Sequence, residues 1–165
     1  MSSSFSFDIF SEIDQQEIVN AINQSNKEHS QRFDLKNSNS NIEFKKEDSS
    51  VVITSSDEYK LKSVVEILKS KFVKRGISLK AVDLGKLEDA QGGTVRQILT
   101  FQEGIPSDKA KQIVKDIKAM KIKVQAQIMD QKVRISSAKK DLLQEVMQLI
   151  KEKDYDIHLE FGNYR

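Results

Sequence analysis

The sequence predicts an α+β fold of two βαββαβ units, each an antiparallel sheet with both helices on one face. Two observations carry this. One order of strand-like and helix-like segments is written twice along the 165 residues. Within those segments apolar residues recur at period two in the strands and near 3.6 in the helices. Each unit then keeps one face of its sheet uncovered, and that face is a surface for a ligand.

In the first copy, Phe5 to Phe10 reads as a strand. Asp14 caps a helix running to Gln31, with Ile18, Val19 and Ile22 at helical spacing and Gln15, Gln16 and Glu17 in its first turn. Arg32, Phe33 and Asp34 follow without a helical stripe: Phe33 either stacks a base, with Arg32 taking its phosphate, or anchors a short extra strand. Lys36 to Ser40 is a polar loop. Asn41 to Lys46 and Val51 to Thr54 are expected as strands, Asp57 to Arg75 as a helix and Ile77 to Val82 as the closing strand. Lys71, Lys74 and Arg75 suit a helix C-terminus ended by Gly76, and the same cations make a basic corner able to hold phosphate. Gly85 to Gly93 has no periodicity and reads as an inter-domain linker or a mobile hairpin between the units, with Gly92 and Gly93 as a hinge.

The second copy is clearer. It runs as a strand (Thr94 to Phe101), a helix (Ser107 to Met120), two strands (Lys123 to Met129 and Lys132 to Ser136), a helix (Ala138 to Lys151) and a last strand (Ile157 to Phe161). Pro106, the only proline, opens the first helix, where Ala110, Ile113, Val114 and Ile117 form the apolar stripe. Ser136 or Ser137 is the expected cap of the second, which carries Leu142, Leu143, Val146, Leu149 and Ile150. In the hairpin, Val124, Ala126, Ile128, Val133 and Ile135 point to the core. Lys123, Gln125, Gln127, Lys132 and Arg134 point outward, all of them donors to phosphate or base edges. These outward positions carry no aromatic residue, so base stacking on the sheet, the habit of many RNA-binding domains of this topology, is not expected.

Composition narrows the function. With 38% hydrophobic and 32% charged residues, a net charge of +2 and no cysteine, the chain suits a globular protein without disulfides, thiolate metal sites or a cysteine nucleophile. The excess of acidic residues up to about Glu58 and of lysines beyond Lys60 hints at an anionic partner. There is no glycine-rich phosphate loop of either common kind. His29 and His158 have no metal-ligand spacing; of the carboxylates only Asp8 and Glu12 stand out, beside an apolar segment, and the favoured reading there is helix entry and dipole compensation by Glu12 and Asp14. No catalytic residue, metal site or cofactor is assigned. No apolar run reaches membrane-spanning length and no secretory signal is legible in the first ten residues, so the cytoplasm is the expected location and no membrane partner is expected.

Seven segments together resemble the bacterial YajQ family. They are Ser6 to Ile9 with Ser11 and Glu12, Arg32-Phe33-Asp34, Val73 to Gly76, Lys123 to Ile128, Val133-Arg134, Lys139 to Leu142, and Asn163-Tyr164-Arg165. The resemblance runs from end to end, and Lys123 to Ile128 is its most specific part. It implies two ferredoxin-like domains and a small non-enzymatic cytoplasmic protein that binds nucleotides or nucleic acid, some members being regulatory cyclic di-GMP receptors. The chain departs from the family pattern at Leu35-Lys36-Asn37, where an aromatic-basic-glycine run is usual, at Ser137-Ala138, where a glycine is usual, and at Gly162, where an asparagine is usual.

The resulting expectation is a first domain at 1–88 and a second at 94–165, with a terminal strand exchanged between them as the alternative. The ligand is a cyclic dinucleotide, a mononucleotide, or tRNA or other RNA. Lys123, Gln125, Gln127, Arg134, Lys139 and Lys140 are the expected binding residues, with Arg32 and Arg165 as outer phosphate partners. The alternative function is an adaptor that docks a transcription or stress-response partner through its open sheets.

Overall fold

A computed structural model of the chain describes residues 4–165. In chain order its elements are β1 (Phe5–Phe10), α1 (Gln15–Gln31), β2 (Asn41–Lys45), β3 (Ser50–Ser55), α2 (Glu58–Lys74), β4 (Val82–Asp89), β5 (Val95–Phe101), α3 (Ser107–Ala119), β6 (Gln125–Met129), β7 (Lys132–Ser137), α4 (Lys140–Glu152) and β8 (Glu160–Gly162). Local chemistry explains their limits. The Asp14 carboxylate accepts from the Gln16 N–H at 2.9 Å and the Asp57 carboxylate from the Lys60 N–H at 2.8 Å, so both long helices start on a side-chain cap. Gly76, at φ 80°, ends the second helix as the Ile77 N–H returns to the Phe72 carbonyl at 2.9 Å.

The strands form two four-stranded antiparallel sheets, ordered β6-β7-β1-β8 and β2-β3-β5-β4. Each belongs to one compact unit. A host unit comprises the described residues up to Glu12 together with Glu103–Arg165, and an inserted unit comprises Ile13–Gln102. The host follows the expected order, β1-α3-β6-β7-α4-β8. The inserted unit has the same spatial arrangement with its first strand moved to the end of the chain order, α1-β2-β3-α2-β4-β5, so that β5 stands where β1 stands in the host.

The units are not the contiguous 1–88 and 94–165: the host is discontinuous, as in the alternative of an exchanged terminal strand. β1 pairs with β7 and β8, far along the chain, while β5 pairs with β3 and β4. The physical reason lies in the stretch expected to be a linker. Residues 85–89 belong to β4 and Gly92 and Gly93, at φ 68° and 75°, turn the chain straight back into β5, with the Ala90 N–H bonded to the Thr94 carbonyl at 2.8 Å. A tight connection pairs sequence neighbours antiparallel, which holds β5 in the inserted sheet and leaves the host to use β1. Gly85 also fits by necessity, since a Cβ there would lie 2.8 Å from the Ile98 carbonyl oxygen beside a bulge between Leu84 and Leu87. Ile77 accordingly precedes the closing strand, β4, instead of opening it.

Two apolar cores result. In the inserted unit Ile18, Val51, Ile53, Val64, Leu68, Phe72 and Leu99 are fully buried, and in the host Phe7, Ile9, Ile113, Val133, Ile135 and Val146 are. Each core lies between a sheet and its own two helices.

Candidate functional site

The host sheet turns Phe7, Ile9, Val133 and Ile135 into its core, so the alternate positions fall on the face without helices. Register then builds a polar row across the whole sheet. Gln127 lies opposite Arg134, Arg134 opposite Asp8 and Asp8 opposite Gly162. A second row joins Gln125, Ser136 and Ser6.

Asp8 is the centre of the first row. It is 3% exposed although it lies on an uncovered face. Its carboxylate accepts two hydrogen bonds from the Arg134 guanidinium, 2.9 Å from Nε and 3.3 Å from Nη2, and a third from the Asn163 amide at 2.9 Å. The Arg134 fork holds the Asp8 carboxyl below the usual carboxylate range, burial opposes this, and the Asn163 amide reinforces it. Asn163 reaches that position because it adopts φ 54°, after which Arg165 pairs with Ser6 through both backbone bonds, at 3.1 and 3.0 Å.

Phe10 and Lys132 border the row. The ring of Phe10 crosses Gly162, where a Cβ would lie 2.9 Å from Cε1, and the Lys132 ammonium lies 5.8 Å from the ring centroid. The glycine at 162 thus admits the ring. An aromatic residue does occupy the open face after all, on β1 and not on the hairpin where it was sought.

The expected site residues divide into groups. Gln125, Gln127 and Arg134 share the open face, and Lys123, just before β6, lines a shallow cleft of about 440 Å³ with Gln125, Ser136 and Ser137. Arg134 is not a free cation awaiting a ligand, since two of its nitrogens are committed to Asp8. Ser137 supports both ends of this region: its hydroxyl donates to the Lys123 carbonyl at 2.8 Å and accepts from the Lys139 N–H at 3.1 Å. Lys139 therefore occupies the capping position expected of a serine, while Lys140 opens α4 and lines a different cleft, with Arg165. Arg32 belongs to the inserted unit, where its guanidinium is forked onto Asp34 at 3.0 and 2.8 Å. Phe33, beside it in a turn, is 96% exposed and anchors no strand.

The histidines are placed by structure. His29 is buried, its Nε2 lies 2.8 Å from the Asn26 Oδ1, and burial pushes its pKa down. His158 lies 3.7 Å from Glu160. Among the described residues no cluster of three or more His, Asp or Glu is arranged to hold a metal ion, and no helix is long and apolar enough to cross a membrane.

Sequence reasoning missed Asp8, Asn163 and Phe10. A signal for Asp8 was present: a carboxylate between two apolar residues in an alternating strand must point away from the core. Asn163 and Phe10 gave no comparable signal, because their places depend on which strand lies beside β1.

The family described as nucleotide-binding protein YajQ-like matches residues 5–165. A nucleotide-binding protein of Chloroherpeton thalassium is 52% identical over 165 residues, and one of Carboxydothermus hydrogenoformans 51% identical over 165, each covering 100% of both chains. A nucleotide-binding protein of Koribacter versatilis is 52% identical over 160 residues, covering 97% of this chain and 96% of its own.

Proposed function

The chain belongs to the YajQ-like family of nucleotide-binding proteins, and from that membership we propose that it is a non-enzymatic regulatory protein whose ligand engages the uncovered face of the host sheet. The ligand class comprises cyclic di-GMP, mononucleotides and RNA. The observation that supports this reading is the row Gln127, Arg134, Asp8, Asn163, where a buried carboxylate is kept on an open face by a fixed guanidinium and amide. Burying a charge is costly, and a core-stabilising sheet would do without it. As a recognition surface the row is apt: carboxamides offer both donors and acceptors to base edges, and the Nη1 donors of Arg134 are not engaged by Asp8. Lys123 and Lys132 supply charge for phosphate at opposite ends of the hairpin.

Titration of the full chain with cyclic di-GMP, GTP and a short single-stranded RNA at two salt concentrations tests the reading. Lys123→Ala and Gln127→Ala weaken the cognate ligand with the fold retained, and for RNA the lysine substitution also flattens the salt dependence. Wild-type affinity in both variants would remove this face. The protein is expected not to turn over nucleoside triphosphates, and sustained hydrolysis abolished by substitution of one carboxylate would refute the non-enzymatic reading.

The adaptor reading draws on the other sheet, where half-buried Val52 and Ile98 sit on the uncovered face. An adaptor keeps its protein partner in excess nucleotide, whereas a shared face releases it.

A further inference from the structure

The host unit has another cleft, of about 230 Å³, which shares only Ser6 with the polar rows. Phe5, Leu143, Met147 and Tyr164 form its apolar part, and Lys140 and Arg165 its cations. Leu143 and Met147 are buried side chains of α4, and Phe5 packs against the host core. Tyr164 is 64% exposed, yet it is not a loose end. Its ring stacks on Phe7 with centroids 6.4 Å apart and planes at 29°, and its neighbours are both tied down, Asn163 to Asp8 and Arg165 to Ser6. No Asp or Glu side chain lines the cleft, and among the described residues neither Lys140 nor Arg165 has an ion-pair partner.

We propose that this cleft is a separate site for a free nucleoside phosphate, with the base against Tyr164, Leu143 and Met147 and the phosphate between Lys140 and Arg165. A held aromatic ring beside an aliphatic floor accepts a planar base, and two cations without an ion-pair partner at the same cleft suit an anion attached to that base. The volume, below the roughly 300–1,000 Å³ that drug-sized ligands fill, suits a single base with its sugar and phosphate reaching the cations. The inference takes only the ligand class from the reading above; its location is independent of the sheet face.

The test is calorimetric titration of the full chain with GMP, guanosine and inorganic phosphate. GMP binds more tightly than either fragment. Lys140→Gln and Arg165→Gln each weaken GMP about fivefold or more, and Tyr164→Leu does so while Tyr164→Phe does not. Glu43→Ala, on the inserted unit, leaves GMP affinity unchanged. Among the described residues neither charged side chain makes a hydrogen bond, so these two variants separate binding from stability even if Tyr164→Leu unfolds. GMP affinity that survives both charge substitutions but falls in Gln127→Ala overturns the cleft and leaves the sheet-face reading standing. Failure of the wild type to bind GMP at millimolar concentration also overturns the cleft, whereas cyclic di-GMP or RNA binding that falls in Lys123→Ala would still stand for the sheet face.

Discussion

The uncovered faces of the two sheets occupy equivalent places in equivalent units, and they differ in kind. Matching β5 to β1 and β3 to β7 aligns Ile98 with Asp8 and Val52 with Arg134, for each pair lies in register on its central strands. The inserted face thus has half-buried aliphatic side chains where the host has a buried ion pair. Its charges lie toward the margin as exposed pairs, Arg96 with Glu88 at 2.8 Å and Lys45 with Glu43 at 3.2 Å. Both units fold, so a buried carboxylate is not something this architecture requires. Its presence on the host face is therefore not a demand of folding.

The strongest way to break the comparison is to attack what the two units share. Ile135→Ala in the host and Leu99→Ala in the inserted unit each remove a fully buried aliphatic side chain and are expected to cost about 2–5 kcal/mol. Because the two side chains belong to separate cores, the double variant should show additive losses in denaturant unfolding, with two resolved transitions if the units unfold independently.

A sharper contrast comes from removing one arginine from each open face. Arg134→Ala leaves Asp8 buried without its main partner and is expected to lower the denaturant midpoint clearly. Arg96→Ala removes an exposed pair, with side chains 47% and 43% exposed, and is expected to change stability by about 0.5 kcal/mol or less. Equal effects would erase the distinction. This also means that a loss of ligand in Arg134→Ala is informative only when the fold is monitored in parallel.

Acid titration tests the same pair more gently. The folded protein depresses the Asp8 pKa, so its contribution is fully present above the unfolded value of about 3.9 and is lost as pH falls through the lower folded value. Asp8→Asn should flatten that part of the acid limb in a plot of unfolding free energy against pH, with no counterpart from Ile98→Asn. The smallest expected effect is on ligand alone. Gln127→Ala should weaken a sheet-bound nucleotide by about 0.5–1.5 kcal/mol, the worth of one hydrogen bond, whereas Glu43→Ala at the matching margin of the inserted sheet should leave it unchanged.

Read alone, the residues determined the helices and every strand but β4, the α+β class, the family and which side of those strands faces the core. Lys123, Gln125 and Gln127 are exposed, and Val133 and Ile135 are buried, because side-chain alternation is a property of a single strand and needs no partner. Ile128 shows the edge of that rule: it points to the core side yet is 44% exposed, because β6 ends the sheet and little packs beyond it. What only the tertiary structure decided is which strands belong together. β1 and β5 are both short alternating strands, and either satisfies the local pattern of either sheet; the glycine turn between β4 and β5 and the burial of Phe7 and Ile9 among host helices settle the choice. Everything downstream of that choice was hidden with it. Asp8 and Arg134 meet across 126 residues and Asn163 and Asp8 across 155, separations at which periodicity carries no information and only packing and register bring charges into contact.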